Sequence, residues 1–155
     1  MIRKLKATDK SEYLDMVAAF YSSDAVSHKV EPWHFAETFE ELMRSDTYTE
    51  CYILERDNDI GGYVLLLKTF SQEAGGLTVW VEELYVKPNF RSAGLGTEFF
   101  RFLDKNIFPN VKRLRLEVEK ENKRAISLYK RYGFKTLDYM QMIKGRDEGG
   151  GANAI

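Results

Sequence analysis

The stretch of sequence that decides the fold is EELYVKPNFRSAGLG, residues 82–96. Its first half favours a β-strand, and Pro88 ends that pattern because proline cannot continue a strand ladder. A helical pattern then begins at Gly94 and runs to about Phe108, with large apolar side chains at helical spacing. The sequence therefore predicts a strand, a turn and an amphipathic helix in direct succession.

The turn in this stretch has the composition of an anion-binding loop. The first turn of a helix leaves backbone N–H groups without partners, and the helix dipole favours negative charge there. Glycines let the backbone approach a bulky anion, although they would also serve in a plain strand-to-helix turn. The loop lacks the ending of a Walker motif and the third glycine of a dinucleotide-binding fingerprint. The candidate diphosphate-binding residues are Arg91, Ser92, Ala93, Gly94, Leu95 and Gly96.

Strand and helix patterns alternate on both sides of this stretch. Before it come a short strand at 1–6, two helices, the second starting at Pro32, and two strands joined by a turn at 57–59. After it come another strand, a helix capped by Asn122, and a last strand over 134–143. The predicted order is β-α-α-β-β-β-α-β-α-β. This is an α/β (α+β) fold with a mixed, mostly antiparallel central sheet flanked by helices.

Composition and charge limit the classes of function. The chain has 155 residues, of which 44% are apolar and 30% charged, as in a globular domain. Its net charge of -1 offers no basic excess for a nucleic-acid backbone, and its longest apolar run is too short to span a bilayer. Cys51 is the single cysteine, and no Cys/His cluster has metal-ligand spacing. We expect a cytoplasmic protein with no metal and with no nucleic-acid or membrane partner.

Three segments carry a shared motif pattern: EELYVKP at 82–88, the Arg-x-x-Gly-x-Gly loop at 91–96, and NKRAISLYKRYGF at 122–134. Together they resemble the GNAT superfamily of acyl-CoA-dependent N-acyltransferases. The likeness covers nearly all of one expected N-acetyltransferase domain, residues 1–144, which a flexible glycine-rich tail at 145–155 would follow. The resemblance implies a GNAT-like sheet and an enzyme that moves an acetyl group from acetyl-CoA, its co-substrate, to a primary amine.

The resemblance also implies roles for individual residues. The loop at 91–96 would bind the pyrophosphate of coenzyme A, and the strand residues Leu84, Tyr85 and Val86 would bond the pantetheine arm through free backbone groups. Asn122 would contact the pantetheine or hold the crossing strand end, and Ala125 would line the adenosine side. Tyr129 resembles the family tyrosine that protonates the leaving thiolate. The amine would attack directly, since the sequence has no motif for a covalent nucleophile.

The base is expected among two adjacent carboxylates. Glu82 and Glu83 should point to opposite faces of a strand, so that one faces the amine, unless a bulge alters the alternation. In polyamine acetyltransferases, which this segment also resembles, carboxylates at both positions serve the amine. The plain alternative is a pair of solvated glutamates. His28 and His34 are weaker candidates for contacts with the acceptor.

The acceptor is expected to be small and cationic. Residues 30–50 contain six acidic side chains and only Arg44 as a countercharge. A cleft lined by charges of one sign concentrates ions of the opposite sign. An ordinary solvated helix face is the alternative reading of these acids. Because a fold does not fix a function, a non-catalytic acyl-CoA-binding or regulatory domain is the alternative function. The sequence leaves open whether the protein forms a homodimer. The acids are Glu31, Glu37, Glu40, Glu41, Asp46 and Glu50.

Overall fold

Five strands form one sheet in the part of the chain that the computed structural model describes, residues 1–23 and 29–145. They are β1 (Ile2–Lys4), β2 (Thr49–Arg56), β3 (Asp59–Ser71), β4 (Gly76–Val86) and β5 (Arg113–Leu116). They lie side by side in the order of the chain, and each neighbouring pair is antiparallel except β4 and β5, which are parallel. The mixed, mostly antiparallel sheet predicted from the sequence is confirmed.

The helices cover the two faces of this sheet. On one face, Tyr13 and Phe39 of the first two helices belong to one buried cluster, and on the other face Phe99 and Tyr129 of the last two belong to a second cluster. The α-helices of the described residues are α1 (Lys10–Tyr21), α2 (Pro32–Arg44), α3 (Leu95–Phe102) and α4 (Lys123–Arg131). None of them is long and apolar enough to cross a membrane.

The hairpin between β2 and β3 forms where the sequence predicts it. Asp57 and Asn58 both have positive φ angles, 55° and 68°, which is the conformation of a tight hairpin turn. Short polar side chains tolerate this left-handed conformation better than most others. The turn places β3 beside β2. The other side of β3 pairs with β4, the strand that holds the candidate site.

The helix predicted from Gly94 to about Phe108 is present but not uniform. Its α-helical part ends at Phe102, a π-helical turn continues over Leu103–Ile107, and a 3-10 turn covers Phe108–Asn110. Pro109 in the last turn cannot continue an α-helix, because it lacks the N–H that donates back along the chain. The chain then enters β5.

The last predicted strand, over 134–143, is not formed, and this part of the sequence prediction is wrong. Residues 134–145 have no regular secondary structure. Strand formers become a strand only where a neighbouring strand completes the hydrogen-bond ladder, and within the described residues β5 pairs with β4 alone. Phe134 packs against the core, but the large apolar side chains after it are more than half exposed: Leu137, Tyr139, Met140, Met142 and Ile143.

Two further predictions fall wholly or mostly outside the described residues. His28 lies in the gap between residues 23 and 29, and the predicted tail, apart from Gly145, also lies outside the described residues. The domain limits of 1–144 therefore stay a prediction.

Candidate active site

Strands β4 and β5 separate about halfway along β4. Their pairing ends at Val81 and Leu116, whereas pairing of β4 with β3 continues to Gly62 and Val86. Residues 82–86 therefore have a free edge on the side that β5 has left. Such an edge presents unpaired backbone N–H and C=O groups, to which an extended ligand can bond. Leu84, Tyr85 and Val86, the residues predicted to meet the pantetheine arm, lie on it.

The loop at 91–96, called the glycine turn below, leads into α3 and includes the first two residues of that helix, Leu95 and Gly96. Ser92 and Gly94 adopt left-handed conformations, with φ angles of 67° and 85°. The first helical bond runs from the N–H of Glu98 to the carbonyl of Gly94, over 2.9 Å. The N–H groups of Leu95, Gly96 and Thr97 precede that bond and have no acceptor within the described residues. Three donors and the positive end of the helix dipole therefore face the open turn.

Two arginines flank the glycine turn. Arg91 Nε donates a hydrogen bond to the carbonyl of Val86 over 3.1 Å, which holds the guanidinium beside the free edge of β4. Arg124, in the first turn of α4, donates through Nη2 to Ser92 Oγ over 3.4 Å. Arg124 could not be predicted from the sequence, because only the fold brings the start of α4 to the start of α3.

Asn122 and Ala125 lie at the beginning of α4. Asn122 Oδ1 accepts a hydrogen bond from the N–H of Ala125 over 3.1 Å, so Asn122 is the helix cap that the sequence predicts. Asn122 is exposed, and Ala125 is half-buried one turn before Tyr129. Contacts of these residues with a bound coenzyme stay a prediction.

Tyr129 lies half-buried in the apolar cluster beneath α3 and α4. Its ring centroid is 5.3 Å from that of Phe100 and 6.1 Å from that of Phe134. Its hydroxyl has no hydrogen-bond partner in the part of the chain that the structure describes. Burial raises the pKa of Tyr129, so the phenol keeps its proton at neutral pH. A neutral phenol with an unused O–H is suited to donate a proton to a leaving group.

A β-bulge places the two glutamates of β4 together. Leu65 of β3 pairs with Glu83 and its neighbour Leu66 pairs with Val81, so Glu82 is an extra residue in the ladder. This extra residue breaks the alternation of side chains, and both glutamates line the same cavity. The regular alternation, which would place Glu82 and Glu83 on opposite faces, does not hold here, because the bulge named as its exception is present.

The two glutamates have different surroundings. Glu83 is only 6% exposed, and its carboxylate accepts hydrogen bonds from the hydroxyls of Tyr21 (2.5 Å) and Tyr63 (2.6 Å). Burial raises the pKa of Glu83, while the two hydroxyl donors partly offset this rise. Glu82 stays accessible from the cavity; partial desolvation raises its pKa, as do the charges of Glu117 and Glu83. Both carboxylates are therefore stronger bases than an ordinary glutamate.

The cavity above the glutamates has a volume of about 1370 Å³. Helices α1 and α2 form one side, and the segment that follows β5 forms another. His34 lines it, whereas the buried Cys51 does not. Its walls are acidic: α2 contributes Glu37, Glu40 and Glu41, and the segment after β5 contributes Glu117, Glu119 and Glu121. The last three were missed in the sequence, since only the parting of β4 and β5 brings them here.

The acid-rich segment at 30–50 has more countercharges than its own sequence contains. Lys10 pairs with Glu40 over 2.7 Å and Lys68 with Glu50 over 2.7 Å, from other parts of the chain. Glu31, Asp46 and Glu50 do not line the cavity. Arg44 is the only basic residue within the segment, but residues from elsewhere also neutralise its acids, and the acidity of the cavity rests on fewer residues of this segment than expected.

Comparison with known proteins gives three findings. Residues 14–134 match the model of the acetyltransferase (GNAT) family. Thialysine N-epsilon-acetyltransferase of Bos taurus is 29% identical over 155 residues, covering 88% of this chain and 85% of the relative. Two solved structures share the fold. A possible acetyltransferase from Clostridium difficile 630 has a TM-score of 0.77 at 17% identity, covering 94% of this chain and 96% of that chain. AAC(6')-Iy in complex with the bisubstrate analog CoA-S-monomethyl-acetylneamine has a TM-score of 0.75 at 14% identity, covering 94% and 97%.

Proposed function

Because the chain belongs to the acetyltransferase (GNAT) family, we propose that it moves the acetyl group of acetyl-CoA directly to a small, positively charged primary amine. The chain is an acetyltransferase; the charge of the acceptor and the roles of individual residues are the substance of the proposal. The observation that carries it is the pair Glu82 and Glu83, which line an acidic cavity next to the free edge of β4.

The order of elements along β4 supports a definite direction for acetyl-CoA. The glutamates come first, the rest of the free edge at 84–86 follows, and the glycine turn comes last. Arg91, Arg124 and the free N–H groups of α3 would hold the pyrophosphate, because they combine positive charge with backbone donors. A pantetheine arm that runs from this turn along the free edge would bring the thioester to Glu82 and Glu83.

The residues of the site meet the chemical needs of acetyl transfer. Glu82 and Glu83 can accept the proton of the ammonium group, since desolvation raises the pKa of both. Backbone N–H groups on the free edge of β4 can stabilise the negative charge that develops on the thioester oxygen. Tyr129 can give its proton to the departing thiolate. Burial raises the pKa of the Cys51 thiol, so this residue is a poor nucleophile, which supports direct attack by the amine.

The charge of the cavity supports a cationic acceptor. Carboxylates on α2 and on the segment after β5 surround the space above Glu82, with Arg44 and Lys120 as the basic residues that line it. A cavity whose lining carries net negative charge attracts positively charged molecules and holds them near the base. One relative is named for acetylating the N-epsilon amine of thialysine, and one similar structure carries an acetylneamine analog. Both names are those of amine acceptors.

A screen of amines that follows the free thiol of CoA tests the proposal. Polyamines, aminoglycosides and basic amino acids should release thiol faster than neutral or acidic amino acids at equal concentration. Mass measurement of the product should show one added acetyl group. The non-catalytic alternative predicts that acetyl-CoA binds but that no amine releases thiol. A preference for anionic amines would contradict the proposed acceptor.

A further inference from the structure

Two tyrosine hydroxyls donate hydrogen bonds to the carboxylate of Glu83. Tyr21 donates to Oε1 over 2.5 Å and Tyr63 donates to Oε2 over 2.6 Å. Glu83 is 6% exposed, so most of its remaining surface is covered as well. Each oxygen already accepts one hydroxyl donor, and the low exposure of Glu83 leaves little room for an ammonium group to reach the remaining lone pairs. Glu83 thus lines the cavity with little exposed surface, and a neighbouring group with better access can carry a proton to it.

The two tyrosines differ in their access to the cavity. Tyr63 is 0% exposed, does not line the cavity, and packs edge-on against Tyr13 at 5.5 Å between centroids. Tyr21, the last residue of α1, is half-buried and lines the cavity, with its ring stacked on Phe35 at 5.2 Å. Tyr21 thus contacts both the cavity and Glu83, while Tyr63 bonds to Glu83 from the buried side.

We propose that Tyr21 is a catalytic residue that relays the proton of the acceptor amine to Glu83, an inference that rests on the acetyl transfer proposed above. The amine nitrogen gives its proton to the oxygen of Tyr21 as the hydroxyl proton of Tyr21 passes to Oε1 of Glu83. The amine N–H bond and the original O–H bond break, and new O–H bonds form on Tyr21 and Glu83. Tyr21 ends the step neutral, and the freed electron pair of nitrogen attacks the thioester carbonyl.

The groups around Glu83 favour this route. Tyr13 from α1, Cys51 from β2 and Tyr63 from β3 have pKa values raised by burial, so they stay neutral beside the carboxylate. His34 of α2 lines the same cavity. Glu82 is the other acid of β4 here, and it lies open to the cavity, where it can hold the positive charge of the acceptor.

Paired phenylalanine variants test the relay. Tyr21→Phe and Tyr63→Phe each remove one hydroxyl from Glu83 and keep the ring, but only the first removes the group that meets the amine. With the best amine of the screen, Tyr21→Phe should lower kcat at least about tenfold at every pH, because a proton-transfer group is missing. Tyr63→Phe should reach the kcat of the unmodified enzyme at high pH. Its rate should fall off at a higher pH than that of the unmodified enzyme, since Glu83 has lost a donor that stabilises its charge.

A double variant tests whether Tyr21 acts through Glu83, and the pH profile of Tyr21→Phe separates a relay from simple support of Glu83. If Tyr21 and Glu83 act in one step, Tyr21→Phe combined with Glu83→Gln should lose no more activity than the worse single variant. Additive losses, or a Tyr21→Phe profile that is only shifted like that of Tyr63→Phe, would overturn the relay. Unchanged kcat in Tyr21→Phe would overturn it as well. If the unmodified enzyme releases no thiol with any amine, the proposed function fails instead of the relay.

Discussion

Gly96 faces Leu84 across the start of α3: a Cβ atom on Gly96 would stand 3.9 Å from Leu84 Cδ2. The glycine turn and the free edge of β4 are thus neighbouring parts of one surface. Apart from its chain neighbours and the backbone of its own helix, no other atom of the described residues lies within 4 Å of that Cβ position, so a side chain there would fill open space in front of the helix. Gly94 is different, because its φ of 85° would strain any other residue.

We predict that Gly96→Val abolishes binding of CoA without harming the fold. The new side chain would occupy the space through which a pyrophosphate reaches the free N–H groups, whereas valine is at least as favourable as glycine in a helix. Calorimetric titration with CoA measures the loss, and thermal unfolding serves as the control. An unchanged Kd for CoA would show that the glycine turn does not hold the coenzyme.

Arg124 should contribute to coenzyme binding through its position beside Ser92. We expect Arg124→Ala to weaken CoA binding roughly tenfold, which is the usual scale for one hydrogen bond to a charged group. Arg131→Ala is a matched control, because Arg131 lies in the last turn of the same helix and away from the glycine turn. Equal effects of the two substitutions would mean that Arg124 acts only through the net charge of α4.

Tyr129 is expected to act as the acid for the thiolate. Tyr129→Phe should lower kcat roughly a hundredfold, as loss of an acid step commonly does. Stability should change little, because the hydroxyl has no partner in the described residues. Tyr132→Phe, three residues along the same helix, removes a hydroxyl that donates to the carbonyl of Thr97 over 3.2 Å. This control should affect unfolding more than kcat; the reverse result would contradict the role of Tyr129.

The two glutamates should contribute unequally, for a reason other than strand alternation. Glu82→Gln should mainly raise the KM of a cationic acceptor, since Glu82 is accessible and Glu83 is enclosed. Glu83→Gln should mainly lower kcat. In the unmodified enzyme kcat/KM should fall as pH drops through the raised pKa of these groups, because a protonated carboxyl cannot accept a proton. A pH-independent kcat/KM on the acid side would contradict their role as bases.

Much of the fold could be predicted because its signals are local. Asp57 and Asn58 indicate a hairpin turn. Within one short stretch, Pro88 indicates the end of a strand, and Gly94 and Gly96 indicate the start of a helix. These residues act through their own backbone preferences, which do not depend on distant parts of the chain.

The features that could not be predicted depend on contacts between distant residues. The bulge at Glu82 is set by the register of β3, and Tyr21 is 62 residues away from the carboxylate to which it donates. Lys10 and Glu40, which pair across two helices, are 30 residues apart. The failed strand at 134–143 shows the same limit, because a strand pattern does not reveal whether a partner edge is there to receive it.

The central claim, acetyl transfer to a positively charged amine, is tested most directly by three acceptors that differ at one end. Diaminobutane, aminobutanol and aminobutyrate offer the same primary amine, while the far end is cationic, neutral or anionic. The acidic cavity predicts that kcat/KM for thiol release falls in that order and that the advantage of the diamine shrinks as salt rises. Equal rates for all three amines, or the highest rate with aminobutyrate, would contradict the account.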